Sequence, residues 1–376
     1  MSAKKSFPPR TWVEIDAEAV RANIRAFRKL IGPKVKLWSV VKSNAYGHGL
    51  YAFAPLAAKL GVDGLCVDSL IEAVRLREAG VAKPILVLGS TLPELFGTAA
   101  AMGVTLSLST FEDLKAMRRA KLLPEFHVKV DTGMHRRGFM DKDFTAALKT
   151  LHALELSRHC TGIYTHFAAA KDMAYPGFVE MQYARFERME KALRRFVPKM
   201  AAHVAATGGT LLDPRYHRDL VRIGMGLYGY HPSPELEAQL PDVKLQPVLA
   251  WHTIIAELKI LPPGESVGYN FTERLRRVTR LAILPIGYWH GFPVALSSVG
   301  EILVNGRRAR VVGRVSMDLI TADVTGITCK VGDRVTLIGP NGRDTVSATE
   351  FAARIPATHH YEVLTRLNPL MERRVV

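Results

Sequence analysis

The sequence predicts an α/β protein: an N-terminal (β/α)8 barrel of the TIM type over residues 1–247, followed by a mainly-β C-terminal domain over residues 248–376. Two observations carry the barrel. Eight short apolar runs alternate with helical stretches between Lys36 and Tyr230, and each run is continuous, as strands covered on both faces are. A third observation carries the second domain: from about Pro247 helical periodicity fades into alternating segments separated by turn residues.

The runs are Leu37–Val41, Gly64–Val67, Ile85–Leu88, Thr105–Leu108, Phe126–Val130, Gly162–Tyr164, His203–Ala206 and Leu220–Ile223. Helix starts lie between them. Ser69-Leu70-Ile71-Glu72 is a capping-box pattern opening a helix through Glu78 that Gly80 ends. Thr110-Phe111-Glu112-Asp113 opens another, and Arg185 to Phe196 is charged on one side and apolar on the other. A doubly wound sheet would be expected to carry a GxGxxG turn after its first strand, and none is present. In the second domain, Pro262-Pro263-Gly264, Asn305-Gly306, Gly332-Asp333 and Gly339-Pro340-Asn341-Gly342 punctuate runs such as Val278–Ile283, Glu301–Val304, Ala309–Val312 and Arg334–Ile338. Asn305-Gly306 between two such runs predicts a type I′ hairpin.

Composition narrows the function classes. A chain of 376 residues that is 48% hydrophobic and 23% charged is neither disordered nor fibrous. The net charge of +16 invites a nucleic-acid partner, but the basic residues are spread along the chain without long runs, so none is expected. Cys66, Cys160 and Cys329 are odd in number and far apart. That pattern argues for reduced thiols in the cytoplasm, against a disulfide framework and against a metal site. No apolar stretch is long enough to span a membrane, and no membrane partner is expected. Residues 1–10 look like a loose basic arm, not a signal peptide.

In a parallel barrel the chemistry gathers where strands end. Those positions hold Lys42-Ser43-Asn44-Ala45-Tyr46-Gly47-His48-Gly49 after the first run and Lys129-Val130-Asp131-Thr132-Gly133-Met134-His135-Arg136-Arg137-Gly138 at the fifth. Thr165-His166, Thr207-Gly208-Gly209 and Arg222-Ile223-Gly224-Met225-Gly226 mark the last three. A lysine closing an apolar strand is paired, neutralised or covalently used, or else snorkels to the rim. The glycines let backbone amides form phosphate nests. A lysine, a phosphate nest and several tyrosines suit pyridoxal 5′-phosphate joined to the lysine as a Schiff base.

Taken together, Lys42–Gly49, Lys129–Phe139, Tyr164–Ala168, Val221–Gly229, Val267–Asn270, Pro285–Pro293, Arg314–Asp318 and His360–Glu362 resemble the motifs of alanine racemases, in that family's order and across nearly the whole chain. The resemblance implies a pyridoxal-phosphate enzyme that interconverts L- and D-alanine and supplies D-alanine for peptidoglycan. It also implies a homodimer in which each β domain completes its partner's active site, with Trp12–Ile15 joining the β domain. Lys42 then carries the cofactor and is one catalytic base, and Tyr288 is the second, on the opposite face of Cα and from the other subunit. His166 and Arg222 assist the phenol of Tyr288, and Arg222 faces the pyridine nitrogen as a donor that leaves it unprotonated. Tyr46, Thr207, the amides of Gly224 and Met225, and Tyr361 hold the phosphate. Arg136 and the partner's Met317 amide receive the substrate carboxylate, Tyr269 crowds the entrance, and Lys129 is a lysine often carbamylated in these enzymes. Asp16, Asp318 and His203 are read as supporting residues. Two departures stand out: Ala206-Thr207 where Asn-Ser is usual, and Trp289-His290 where Ala-Asp is typical. The alternative on the same scaffold is a racemase of serine, lysine, arginine or a broader set.

Overall fold

The structure, a computed structural model, describes residues 8–172 and 176–376. Of the arm read at residues 1–10, residues 1–7 lie outside the described residues. The chain divides into two compact units, one of residues 18–45 and 53–247, the other of residues 8–17, 46–52 and 248–376.

The first unit is a closed barrel. Its strands are Lys36–Val40, Gly64–Val67, Ile85–Val87, Leu106–Leu108, Phe126–Asp131, Cys160–Tyr164, Ala201–His203 and Leu220–Ile223. Each pairs in parallel with the next. Single bridges, Leu86 to Thr105 and Ala206 to Arg222, join the third to the fourth and the seventh to the eighth. Leu220 lies opposite Lys36, which closes the ring. Continuous burial of Gly64–Val67 and Leu220–Ile223 explains why their apolar runs do not alternate. Helix Leu70–Glu78 has the full capping box on Ser69 and Glu72, and Thr110 with Asp113 repeats it before Phe111–Arg119.

Two elements differ from the sequence reading. The seventh strand pairs over Ala201–His203, earlier than His203–Ala206, because the Val204 carbonyl is taken by the Arg222 guanidinium (3.1 Å) and Ala206 forms only a bridge. The helix expected from Arg185 to Phe196 runs from Pro176 to Arg194. A proline suits its first turn, and Val179, Gln182, Tyr183, Phe186, Met189, Glu190 and Leu193 continue one buried stripe.

The second unit is built on a sheet whose strands run in the spatial order Glu257–Leu261, Thr279–Leu284, Ile320–Asp323, Arg307–Val312, Glu301–Val304, Arg334–Asn341, Leu249–Ile254, Thr11–Ile15 and Glu372–Val375. Thr11–Ile15 therefore lies in this sheet, antiparallel to Leu249–Ile254 and parallel to Glu372–Val375. Asn305 (φ 48°) and Gly306 (φ 77°) form the two-residue turn between paired strands, the positive-φ pair a type I′ hairpin requires. Trp251, Phe292 and Phe351 pack edge-on or tilted at the centre of this unit.

Candidate active site

The carboxyl ends of the barrel strands gather cations. An open cleft there is lined by Lys129, Val130, Asp131, Met134, Arg136, Arg137, Thr165 and His166. Burial, then the charges of Arg222, Arg136, Lys129 and Lys42, push the His166 imidazole down to about 3, so the ring is neutral at pH 7. Burial and then Arg136, Arg137 and Arg222 lower the Lys129 ammonium to about 8, opposed only weakly by Asp131. The Asp131 carboxylate is already engaged. Its Oδ1 accepts the N–H groups of Gly133, Met134 and His135, and its Oδ2 that of Arg136, all at 3.0 Å. These bonds fold the loop that carries Arg136 and hold the carboxyl below its ordinary range despite burial. Arg137 ties the same loop to the barrel, donating to the carbonyls of Leu88 (3.0 Å) and Ser107 (3.1 Å).

Arg222 is fully inside the barrel, 2% exposed. Its guanidinium donates to the carbonyls of Thr165 (2.7 Å) and Val204 and to Nδ1 of His203. No aspartate or glutamate among the described residues pairs with it; Asp219 instead pairs with Arg194 and accepts from Ala202 N–H. Because Arg222 can only donate, His203 must accept at Nδ1 and carry its proton on Nε2. That proton goes to Nδ1 of His127, 2.8 Å away. Burial and then Arg222 keep both imidazoles neutral. Tyr164 stacks on His203 (4.9 Å, 4°) and its hydroxyl meets Ser107 Oγ at 2.8 Å.

Lys42 lies two residues past the end of the first strand. Its side chain is half-exposed with Nζ 4.0 Å from Asp68, so a buried, unpaired ammonium is not what singles it out. The backbone does. Ser43, Asn44, Ala45 and Tyr46 all have φ between 52° and 56°, a single left-handed turn of non-glycine residues. Each such residue costs about 1–2 kcal/mol, and strain of that kind persists only where surrounding structure imposes it, usually at functional sites. Ala45 N–H bonds Val41 O (2.9 Å) at its start.

Thr207 opens a short helix and is buried. Its Oγ1 accepts from Gly224 N–H (3.3 Å) and Gly226 N–H (3.4 Å), so the hydroxyl and the amides of the last two strand-end loops converge. Met225 follows in the same buried turn.

Within the second unit, Tyr46 and Tyr361 pack edge to face at 6.5 Å, and burial raises the Tyr361 phenol to about 12. Arg373 donates to Gly47 O (3.0 Å), where a side chain at Gly47 would collide with Leu364 O at 1.8 Å. Tyr288 N–H donates to Ser316 O and Trp289 N–H to Met317 O, both at 3.0 Å, which sets Tyr288 beside Met317. A Cβ on Gly313 would approach Val267 O to 2.7 Å, so the segment before Met317 also abuts the one before Tyr269. Tyr269, Tyr288 and Met317 are 66%, 46% and 52% exposed, large apolar groups turned outward.

The sequence reading thus finds Lys42, Lys129, Arg136, His166 and Arg222 around one electropositive centre, Thr207 with Gly224 and Met225, and Tyr46 with Tyr361. It did not single out Asp131, Arg137, His127 or Tyr164. Asp131 had a signal, an Asx residue followed by Thr-Gly at a strand end. The other three look like ordinary strand and loop residues until the barrel closes.

Fold and site first define a class: a (β/α)8 barrel with cations gathered at its strand ends, joined to a β domain. The model of the alanine racemase N-terminal domain matches residues 15–232 and that of the C-terminal domain residues 248–375. An alanine racemase of Methylacidiphilum infernorum is 34% identical over 375 residues, covering 98% of this chain and 94% of the relative. The crystal structure of alanine racemase from Bacillus anthracis with bound L-Ala-P superposes with a TM-score of 0.92 at 34% identity, covering 99% of this chain and 96% of that one. The alanine racemase of Bartonella henselae with covalently bound pyridoxal phosphate superposes at 0.83 with 27% identity, covering 98% and 100%. The chain belongs to the alanine racemase family.

The residues present fit the group this family implies. Arg222 is a buried cation with donors to spare and no carboxylate partner among the described residues, Lys129 and Arg136 add to the same field, and the Thr207 hydroxyl with the adjoining Met225 amide offers donors suited to a phosphate dianion.

Proposed function

We propose that this protein is a pyridoxal-phosphate-dependent alanine racemase that interconverts L- and D-alanine by a two-base route, works as a cytoplasmic homodimer and supplies D-alanine for peptidoglycan. The observation that carries the reading is the cationic centre formed by Lys42, Lys129, Arg136 and Arg222 around a neutral His166, which matches an anionic cofactor and a carboxylate substrate. Pyridoxal phosphate bound through Lys42 supplies the electron-withdrawing ring that acidifies the α-proton of the amino acid. Thr207 and the amides of Gly224 and Met225 would hold its phosphate, Tyr46 and Tyr361 are the further phosphate contacts that the resemblance implies, and Arg222, fixed by His203 and His127, would donate to its ring nitrogen.

Arg136 and the partner's Met317 amide orient the substrate carboxylate. Lys129, its ammonium weakened by burial and then by three arginines, is suited to react as the free amine with carbon dioxide, losing one proton to become a carbamate anion beside Arg136. Lys42 of one subunit and the partner's Tyr288 hold and move the proton at Cα, one on each face. Dimer formation is supported by the outward apolar face that carries Tyr269, Tyr288, Trp289, Met317 and Leu319. A reducing compartment is supported by three free, buried cysteines.

Borohydride treatment of the holoenzyme tests the assignment. The cofactor should become irreversibly fixed, and mass spectrometry should place it on Lys42; a label on Lys129 overturns the reading.

A further inference from the structure

The turn that carries Tyr288 contains an imidazole among its hydrogen bonds. Gly287 is buried, and its N–H donates to Nδ1 of His290 at 3.2 Å. The rest of the turn is held by groups that do not titrate. Tyr288 and Trp289 N–H bond Ser316 and Met317 carbonyls, and His290 N–H returns to Gly287 O at 3.0 Å. The Asn368 amide and N–H bond the carbonyls of Trp289 (2.8 Å) and His290 (3.2 Å). Gly291, at φ 103°, turns the chain away.

We propose that His290 is a positioning residue for Tyr288, and that it clamps the turn only while Nδ1 is unprotonated, so that acidification releases the clamp. The inference rests on the reading of Tyr288 as a proton-transfer residue. An imidazolium has two N–H groups and no lone pair to offer, so on protonation the buried Gly287 N–H faces a second donor. The charged groups that face the ring are Asp318, which favours its protonation, and Arg10, which opposes it; Trp289 meets it edge-on at 5.0 Å. Burial outweighs Asp318, so the ring titrates below its ordinary 6.5 and accepts at neutral pH. A group held low in the fold contributes stability above its unfolded pKa and loses it as pH falls through the folded one. An aspartate at this position would place an acceptor oxygen the same number of bonds from Cα and keep it down to about pH 4. The histidine therefore makes this turn depend on the protonation state of an imidazole.

Two variants of the holoenzyme separate clamp from bulk. His290→Asn puts a non-titrating oxygen where Nδ1 sits, and His290→Gln places it one bond too far. The readouts are Gly287 amide exchange, corrected for its intrinsic pH dependence, and solvent-deuterium uptake at Cα of L-alanine relative to D-alanine, from pH 8 to pH 5. In the unmodified protein, exchange should quicken about tenfold and the L-to-D uptake ratio fall about fivefold toward pH 5. His290→Asn should flatten both responses, and His290→Gln should show fast exchange and a low ratio at every pH. An unchanged pH response in His290→Asn, which decides the matter even if His290→Gln fails to fold, overturns the proposal. Tyr288→Phe tests the underlying reading separately: if it affects uptake from both enantiomers equally, the role of Tyr288 falls while the exchange data still judge the clamp.

Discussion

Gly287→Ala should disable the second base without disturbing the barrel. A Cβ at this position would lie 2.2 Å from Ser316 O and 2.4 Å from Met317 O, whereas real contacts of this kind stay above 3.0 Å. Both obstacles are backbone, and Gly287 itself is extended (φ −162°), so the penalty is collision, not conformation. The turn and the 316–317 segment must separate by close to 1 Å, stretching the Tyr288-to-Ser316 and Trp289-to-Met317 bonds. At about 1 kcal/mol each, the variant should lose roughly 2 kcal/mol of stability. A displacement of about 1 Å at a proton-transfer group costs on the order of 100-fold in rate. Racemisation must slow equally in both directions, because the equilibrium constant is one. Solvent-deuterium uptake at Cα therefore carries the information: it should collapse for L-alanine and persist for D-alanine, where Lys42 still acts. Urea unfolding measures the stability arm. A variant with parental uptake from both enantiomers would refute the reasoning.

The remaining predictions concern the barrel and the entrance. Asp131→Asn keeps one acceptor for Gly133, Met134 and His135 but turns an NH2 toward Arg136 N–H, so KM for alanine should rise several-fold with kcat little changed; an unaltered KM contradicts the loop's role. Since the carboxyl of Asp131 is held low, its support is complete above the ordinary carboxylate range and is lost as pH falls below it, which acid unfolding of the parent against Asp131→Asn will show. Thr207→Val removes the acceptor for Gly224 and Gly226 N–H and should weaken cofactor binding about tenfold, with Thr207→Ser restoring it. Tyr269→Ala should open activity toward serine, lysine or arginine; a substrate panel that stays confined to alanine removes Tyr269 from the specificity argument.

The barrel was legible because burial on both faces writes continuous apolar runs, and the capping boxes at Ser69 and Thr110 set helix starts to the residue. The seventh strand slipped because Val204–Ala206 is as apolar as a strand but spends its carbonyl on Arg222, a partner that only the closed barrel supplies. The start of helix Pro176–Arg194 was missed because its first turn is exposed and weakly patterned. Lys42, Arg222 and Thr207 were readable from strand-end position and motif together. The His127–His203–Arg222 chain was not, since three strands far apart in sequence contribute one group each, and neither was the His290 clamp, whose acceptor is visible only once the turn is built.

Mixing two inactive homodimers tests the shared-site claim most directly. Lys42→Ala and Tyr288→Phe subunits, dissociated together and reassembled, should recover activity, because a mixed dimer with sites built from both subunits holds one site with both residues intact. With half of the dimers mixed and one of two sites whole, about a quarter of the parental activity should return. If each subunit supplies both its own lysine and its own tyrosine, every site in the mixture lacks one of them, and no recovery at all would contradict the account.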